Sequence, residues 1–232
     1  DKAHIYNTQL LGNVVLTDPF DADAVKEQNA DYNNILNIDG DGVMGSIEIP
    51  SIKVYLPIYH GTDSTSLEKG AGHLENSSFP VGGRGTHAVI SAHTGLPSAK
   101  MFDNLTEVKE GDVFYIHVLN QTLAYEVNQI KVVLPENTSD LLIDRNEDYV
   151  TMVTCTPYGI NSHRLLVRGT RIPYREAKKK ERTQTKKDSK WKAYVLAAII
   201  AVILLLIAFI YRRYQEKKRR RRMKRKRVVK KK

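Results

Sequence analysis

The sequence predicts a mainly β fold: a closed or nearly closed β-barrel with short helices, preceded by a helical N-terminal segment and followed by a transmembrane helix. Two patterns favour this fold class. Many short apolar runs are cut by Gly and Pro, and one long run near the C-terminus carries no charge. The third observation is that opposite charges are segregated along the 232 residues. We therefore divide the chain into five parts, which are 1–45, 46–174, 175–192, 193–211 and 212–232.

The N-terminal part, 1–45, is predicted to be helical over 1–12 and 20–38. Acidic residues cluster near the start of the second segment, where carboxylates favour a helix N-terminus. The sequence Thr17-Asp18-Pro19-Phe20 separates the two segments and is typical of a turn.

From Gly45 onward, short β-rich runs replace the helical pattern. We predict strands at 46–49, 54–58, 86–92, 113–118, 123–133, 149–155 and 165–172. Short helical pieces are predicted at 64–69 and 98–105. Many short strands with few long helices favour a barrel over a layered α/β fold.

The segment 193–211 contains 19 residues without a charge. As an α-helix it would be ~28 Å long, close to the ~30 Å hydrocarbon core of a bilayer. A buried core helix of this length would normally carry a polar stripe, which this run lacks. Aromatic side chains that favour the membrane interface stand at both ends: Trp191, Tyr194, Tyr211 and Tyr214. The segment is therefore predicted to span a bilayer.

The net charge of +10 comes from the end of the chain. Residues 1–174 hold 12 Lys and Arg against 22 Asp and Glu, whereas 211–232 hold 15 against 1. The more basic flank favours a cytoplasmic tail, so we expect an extracellular head at the cell membrane and an export leader outside this sequence. Because the basic tail lacks interleaved aromatics and adjoins the apolar helix, lipid headgroups explain it better than nucleic acid.

Three residues at predicted strand ends are candidates for nucleophilic chemistry. Cys155 ends one strand and His93 ends another, so a thiol and an imidazole can share one rim of the barrel. Arg164 begins the strand after Cys155 and can return a guanidinium to bind an oxyanion. Spacing does not fix which histidine partners the thiol, and six others remain open: His4, His60, His73, His87, His117 and His163.

The segment 37–48 (NIDGDGVMGSIE) nearly matches an EF-hand loop. The helix that should follow such a loop is replaced by a strand pattern, so an Asp- and Gly-rich turn is the favoured interpretation. One cysteine and scattered histidines supply no zinc cluster. We therefore expect no metal site and no cofactor.

Three stretches resemble the sortases, and class C, the pilin-polymerising group of Gram-positive bacteria, most of all. They are VTMVTCTPYGINSHRLLVRGTR (150–171), SAHTGLPSAKMFDNL (91–105) and GSIEIPSIKVYLPIYHG (45–61). Met152 stands where the Thr-x-x-Thr-Cys signature usually has Leu. The resemblance implies an eight-stranded sortase barrel with Cys155 as nucleophile, His93 as general acid/base and Arg164 as oxyanion-binding group.

The same resemblance implies a lid over the site, formed by Asp18, Pro19 and Phe20. It further implies cleavage of an LPxTG-like sorting signal between Thr and Gly, and transfer of the acyl group to a Lys of another pilin subunit. Two alternatives remain. One is a sortase that joins proteins to a cell-wall amine, and the other is a noncatalytic calcium-dependent adhesion module.

Overall fold

The computed structural model describes residues 2–10, 16–21, 30–96 and 99–229. The chain divides into two compact units, Asp1–Glu181 and Arg182–Lys232. The first unit holds every strand of the described chain and all the candidate site residues, and the second continues a long C-terminal helix.

Eight strands form a closed barrel, which confirms the predicted fold class. They are β1 Val43–Ile49, β2 Val54–His60, β3 Ala71–His73, β4 Thr86–Ser91, β5 Val113–Val118, β6 Gln121–Val133, β7 Asp148–Thr156 and β8 His163–Ile172. Their order around the barrel is β1-β2-β3-β4-β7-β8-β6-β5. The β2/β3 and β4/β7 pairs are parallel and the others are antiparallel.

Four α-helices accompany the barrel: α1 Lys2–Gln9, α2 Ala30–Asn34, α3 Ser64–Lys69 and α4 Tyr174–Val229. Short 3₁₀ turns occupy Pro50–Ile52, Leu105–Glu107 and Ser139–Leu141. The carboxylate of Asp63 caps α3 by accepting a hydrogen bond from the backbone N–H of Ser66 at 3.1 Å, so α3 begins where the sequence predicts.

Two helix predictions need correction. Within 20–38 the described helix is α2 alone, because Phe20 and Asp21 belong to a turn and the chain leaves the helix after Asn34; residues 22–29 lie outside the described part. Over 98–105, residues 99–104 form irregular chain, bends and turns, Leu105 begins a 3₁₀ turn, and residue 98 lies outside the described part. The carboxylate of Asp103 accepts hydrogen bonds from the backbone of Gly95 and Met101, which favours a turn over a helix.

Alternation along β4, β7 and β8 separates two apolar layers. Ile90, Met152 and Val167 point into the barrel and join its main core. Side chains at alternate positions point outward and pack into a second group, here called the outer-face cluster: Leu16, Leu74, Val89, Leu141, Val153 and Leu166. Leu16 precedes the Asp18-Pro19-Phe20 turn, so the chain at this point lies against the outside of the barrel.

Side-chain contacts fix α1 and α2 to the barrel. The amide of Asn7 donates to the carbonyl of Phe79 at 3.0 Å and accepts from the N–H of Phe79 at 2.7 Å, in a buried position. The hydroxyl of Tyr32 accepts from the N–H of Gly61 at 3.0 Å and lies 2.8 Å from Nδ1 of His73. Both anchors therefore bond to the segments around β3.

The first two turns of α4 also pack against the barrel. Ala177 is fully buried beside β5 and β6, and the hydroxyl of Tyr115 donates to Glu181 at 2.6 Å. Further along α4, Tyr194–Tyr214 is a 21-residue segment long and apolar enough to cross a membrane. The segment predicted as a basic linker, 175–192, lies within α4.

Candidate active site

Cys155 and Arg164 face each other across the β7/β8 pair. They are direct cross-strand partners, so their side chains leave the same face of the sheet with Cβ atoms about 5 Å apart. The loop between them folds back on the arginine, because Nη1 of Arg164 donates to the carbonyls of Asn161 (2.9 Å) and His163 (3.1 Å). The hairpin thus fixes a guanidinium beside the thiol.

His93 follows β4 at the same rim. The parallel ladder between β4 and β7 pairs Ser91 with Val153, and the N–H of Ala92 donates to the carbonyl of Val153 at 3.1 Å. Continuing this register by two residues places His93 level with Cys155. The position of His93 is held by its carbonyl, which accepts from the N–H of Phe102 at 3.0 Å.

Two threonine hydroxyls connect the strand ends that carry His93 and Cys155. The hydroxyl of Thr154 is buried and donates to the carbonyl of Ala92 at 2.7 Å. It also lies 2.7 Å from the hydroxyl of Thr94. Sequence reasoning did not identify Thr94, although its place directly after His93 and before a glycine was the available signal.

The turn Asp18-Pro19-Phe20 lies across this site. The carboxylate of Asp18 accepts from Nε of Arg164 at 2.8 Å and from Nη2 at 2.6 Å, a bidentate pair that is about nine-tenths buried. The ring of Phe20 lies 5.2 Å from the guanidinium carbon of Arg164 and 5.8 Å from the ring of His93. Of the three predicted lid residues, Asp18 contacts the arginine and Phe20 contacts both the arginine and the histidine, while Pro19 joins the two in the chain.

Burial determines the protonation of the thiol and the imidazole in this closed arrangement. Burial raises the pKa of the Cys155 thiol, Arg164 lowers it in part, and Asp18 raises it further. Burial also lowers the pKa of His93, and Glu68 opposes that change. At neutral pH both groups are consequently uncharged, so the closed site holds a thiol and a neutral imidazole rather than an ion pair.

The remaining histidines bond elsewhere in the described chain. His73 and His87 are buried in hydrogen-bond networks, and burial lowers the pKa of each to about 4. His60 contacts backbone carbonyls of Gly42 and Ile35. The rest lie on the surface or beside other side chains: His4, His117 and His163. Of the described histidines, His93 is the one whose ring contacts Phe20.

The EF-hand-like segment folds as a turn followed by a strand. The side-chain oxygen of Asn37 accepts from the N–H of Gly42 at 3.0 Å, and a carboxylate oxygen of Asp41 accepts from the N–H of Val43 at 2.9 Å. Glu48 lies in β1 and contacts His117 at 3.0 Å. Among the described residues, no group of three or more His, Cys, Asp or Glu side chains converges to hold a metal ion.

Comparison with known proteins gives one family. The family model "Sortase domain" matches residues 47–172. Sortase D of Bacillus subtilis is 30% identical over 131 residues, a match that covers 55% of this chain and 63% of that protein. Sortase A of Bacillus anthracis is 28% identical over 149 residues, covering 63% of this chain and 69% of that protein. The chain therefore spans about two thirds of the length of these curated relatives.

Several solved structures have a higher sequence identity to this chain than these curated relatives do, and they are class C sortases. Sortase C-1 from Actinomyces oris is 51% identical with a TM-score of 0.69, covering 74% of this chain and 94% of that chain. Sortase C-1 from Streptococcus pneumoniae is 53% identical with a TM-score of 0.69, covering 75% and 87%. The pilus-related sortase C of Group B Streptococcus is 47% identical, with a TM-score of 0.69 and coverage of 75% and 87%.

Proposed function

Because the chain belongs to the sortase family, we propose that it is a cysteine transpeptidase that cleaves an LPxTG-like sorting signal between Thr and Gly. The observation that carries this proposal is the register pairing of Cys155 with Arg164, with His93 at the same rim and Asp18 on the guanidinium. These are the three groups that acyl transfer needs: a nucleophile, a proton carrier and an oxyanion donor.

In the first half-reaction, His93 takes the proton of the Cys155 thiol, and the resulting thiolate attacks the carbonyl carbon of the threonine. Arg164 donates hydrogen bonds to the oxyanion of the tetrahedral intermediate, and the protonated imidazole of His93 gives its proton to the departing glycine nitrogen. The C–N bond breaks and a thioester to Cys155 remains. The closed site supports this assignment because each of the three groups stands at one rim of the barrel.

In the second half-reaction, a neutral lysine amine attacks the thioester carbon. The new amide bond is an isopeptide bond, the thiolate leaves, and the proton of the attacking nitrogen passes to His93. We assign the acceptor lysine to another pilin subunit. Identities near 50% to class C structures, one of which is a pilus-related sortase, support this acceptor over a cell-wall amine.

The lid turn would keep the enzyme inactive until it moves. Asp18 occupies both donor groups of Arg164 that an oxyanion would need, and Phe20 lies beside His93. Displacement of the turn would expose Cys155 to water, and because burial is the main cause of its raised pKa, exposure would favour the thiolate. Lid opening would thus free the arginine and activate the thiol together.

Membrane attachment suits a polymerising enzyme. We propose that 193–211 crosses the cell membrane with the catalytic head outside and the basic tail, 212–232, in the cytoplasm; the apolar segment Tyr194–Tyr214 and the charge asymmetry support this. Enzyme and membrane-bound precursors would then share one surface, which raises their effective concentration.

The test uses the full chain in detergent micelles with a pilin that carries a C-terminal sorting signal. Intact-mass analysis should find a thioester adduct on the enzyme, and pilin multimers that lack the C-terminal signal peptide. The matched control is Cys155→Ala, which should give neither product. Unchanged pilin with both the native chain and Phe20→Ala would contradict the proposal, because the second variant removes the ring that covers the site.

A further inference from the structure

The hydroxyl of Ser91 is buried without a hydrogen-bond partner among the described residues. Ser91 is fully buried near the end of β4, and it is the one side-chain oxygen or nitrogen in the described chain that is both buried and unpaired. Buried hydroxyls in folded proteins are nearly always hydrogen-bonded, and an unpaired one lowers stability. We therefore expect the Ser91 hydroxyl to form a hydrogen bond in another state of the protein, such as a complex with a ligand.

Two neighbouring buried serines do have hydrogen-bond partners. The buried hydroxyl of Ser77 donates to the carbonyl of Leu74 at 2.7 Å and accepts from the N–H of Val89 at 3.1 Å. The hydroxyl of Ser78 accepts from the N–H of His87 at 3.0 Å. The same region of the barrel thus supplies partners for two serines and leaves the third unpaired.

Strand register places Ser91 on the face that carries the candidate site. Ser91 pairs with Val153 across the parallel β4/β7 ladder, so both side chains point outward. Val153 and Cys155 are two residues apart in β7 and therefore share that face. Ser91 lies one row away from the row that holds His93, Cys155 and Arg164.

The surroundings of Ser91 on this face are apolar. Val89 and Val153 belong to the outer-face cluster, and they stand next to Ser91 along β4 and across the ladder. Leu16 and Phe20 of the N-terminal segment pack on the same cluster. When the lid turn leaves, it uncovers an apolar surface with a polar group inside it, which is the usual composition of a site for a small ligand or peptide.

We propose that Ser91 is a substrate-binding residue whose hydroxyl donates a hydrogen bond to a backbone carbonyl of the sorting signal, on the acyl side of the scissile bond. The inference rests on the proposed function. The acyl side of an LPxTG-like signal carries Leu and Pro, which match the outer-face cluster, whereas its peptide carbonyls need a donor. Ser91 supplies that donor, and its missing partner in the closed state is the substrate.

The test compares Ser91→Ala with the native full chain in detergent micelles. The probe is a fluorogenic peptide that contains Leu-Pro-Glu-Thr-Gly. Cleavage is measured in the chain with its native lid turn and in the chain that carries Phe20→Ala. We expect kcat/KM to fall about five- to tenfold, mainly through a higher KM, which is the range for one neutral hydrogen bond. Because the variant removes an unpaired buried hydroxyl, its Tm should be unchanged or higher.

Ser77→Ala is the matched control, because it removes a buried hydroxyl that has three hydrogen-bond partners, in His73, Leu74 and Val89. It should lower Tm and leave kcat/KM per folded molecule within about twofold, since the hydrogen bonds that it removes stabilise the fold. A lower Tm in Ser91→Ala, with a fall in kcat/KM that is fully explained by the smaller folded fraction, would show that Ser91 is structural. That result would overturn the inference.

Two further results separate the failures. If Ser91→Ala cleaves the peptide as the native chain does while Cys155→Ala is inactive, the inference is wrong and the proposed function stands. If the native chain and Phe20→Ala form no thioester with the peptide, the proposed function fails and the inference fails with it.

Discussion

At the scale of single residues, the ion pair between Asp18 and Arg164 is the main charged contact of the candidate site. Both side chains are nearly buried and joined by two hydrogen bonds. Burial lowers the pKa of Arg164, but its bonds to Asp18 and the neighbouring Cys155 more than compensate, so the net pKa is raised. The guanidinium therefore stays charged, and the carboxylate of Asp18 neutralises its charge.

Asp18→Asn should make the thiol react at lower pH. The carboxylate raises the pKa of Cys155, so removing its negative charge shifts that pKa down and lets Arg164 favour the thiolate. The measurement is the rate of iodoacetamide labelling of Cys155 against pH, followed by intact mass. The labelling midpoint should move to lower pH, and the rate near neutral pH should rise.

Asp41→Asn is the control for that experiment. Asp41 is exposed and accepts a hydrogen bond from the backbone of Val43, a role that Asn can also fill. This variant should label as the native chain does. A labelling midpoint in Asp18→Asn that stays in place or moves to higher pH would mean that Asp18 does not act on the thiol through its charge.

The site residues differ in how far the sequence could predict them. Cys155 and Arg164 flank a short loop between two β-rich runs, so a hairpin that brings them together follows from local pattern. The choice of His93 among seven histidines needed the family resemblance, because spacing does not give the β4/β7 register. Ser91 could not be predicted, since an unpaired hydroxyl is a property of the whole packed structure.

At the scale of elements, the lid turn lies between two anchored helices. α1 is fixed through Asn7 and Phe79, and α2 through Tyr32 and His73. The Asp18-Pro19-Phe20 turn lies between these helices in the sequence, and we propose that it moves while α1 and α2 stay attached to the barrel. Lid opening would then break the contacts of Asp18 and Phe20 with Arg164 and His93.

Asn7→Ala should release α1 and destabilise the head. The change leaves the buried N–H and carbonyl of Phe79 without their side-chain partners, at a cost of about 2 kcal/mol in the free energy of unfolding. Denaturant titration would measure this loss, and hydrogen exchange should report faster exchange in Lys2–Gln9.

Thr8→Ala is the neighbouring control for α1. The exposed hydroxyl of Thr8 bonds within the helix, to the carbonyl of His4 at 2.8 Å, so its loss should change stability by less than about 0.5 kcal/mol. Equal stability in the two variants would refute the idea that Asn7 anchors α1.

Element prediction succeeded where a pattern was strong and local. The strand Val113–Val118 and the capped helix Ser64–Lys69 occur at the predicted bounds. The strand Ala71–His73 was missed because three residues, one of them glycine, carry too short a pattern. The helix predicted over 98–105 failed because Asp103 bonds to backbone N–H groups of a turn, a contact that sequence periodicity does not reveal.

At the scale of the whole molecule, the first two turns of α4 pack against the barrel, and the rest of α4 belongs to the second unit. Ala177 is buried, and Lys180 and Glu181 bond to Glu126 and Tyr115. The predicted linker, 175–192, was derived from its run of charges. The same Lys, Arg, Glu and Ala residues have high helix propensity, which explains why the segment lies in a helix.

Truncation should separate folding from membrane attachment. A chain that ends at Glu181 keeps every contact described between α4 and the barrel, so we expect a soluble head whose Tm equals that of the full chain's catalytic unit. It should not float with lipid vesicles, because Tyr194–Tyr214 is gone.

A chain that ends at Pro173 is the paired variant. It loses the buried Ala177 and the bonds to Glu126 and Tyr115, so its Tm should fall by about 2–4 °C, the shift expected for roughly 1 kcal/mol in a domain of this size. Identical Tm values for the two truncations would mean that the first turns of α4 contribute nothing to the head.

The parallel pairing of β4 and β7 has a consequence for how such enzymes can diversify. His93 and Cys155 are spaced by a backbone ladder, so connections that make no contact with either residue can change length without moving them. The segment that leaves β4 is an exception because Phe102 bonds to His93, and neither that bond nor the register is free to vary. Loop grafting between relatives should then exchange recognition while retaining the same reaction centre, and a one-residue insertion inside either strand should abolish it.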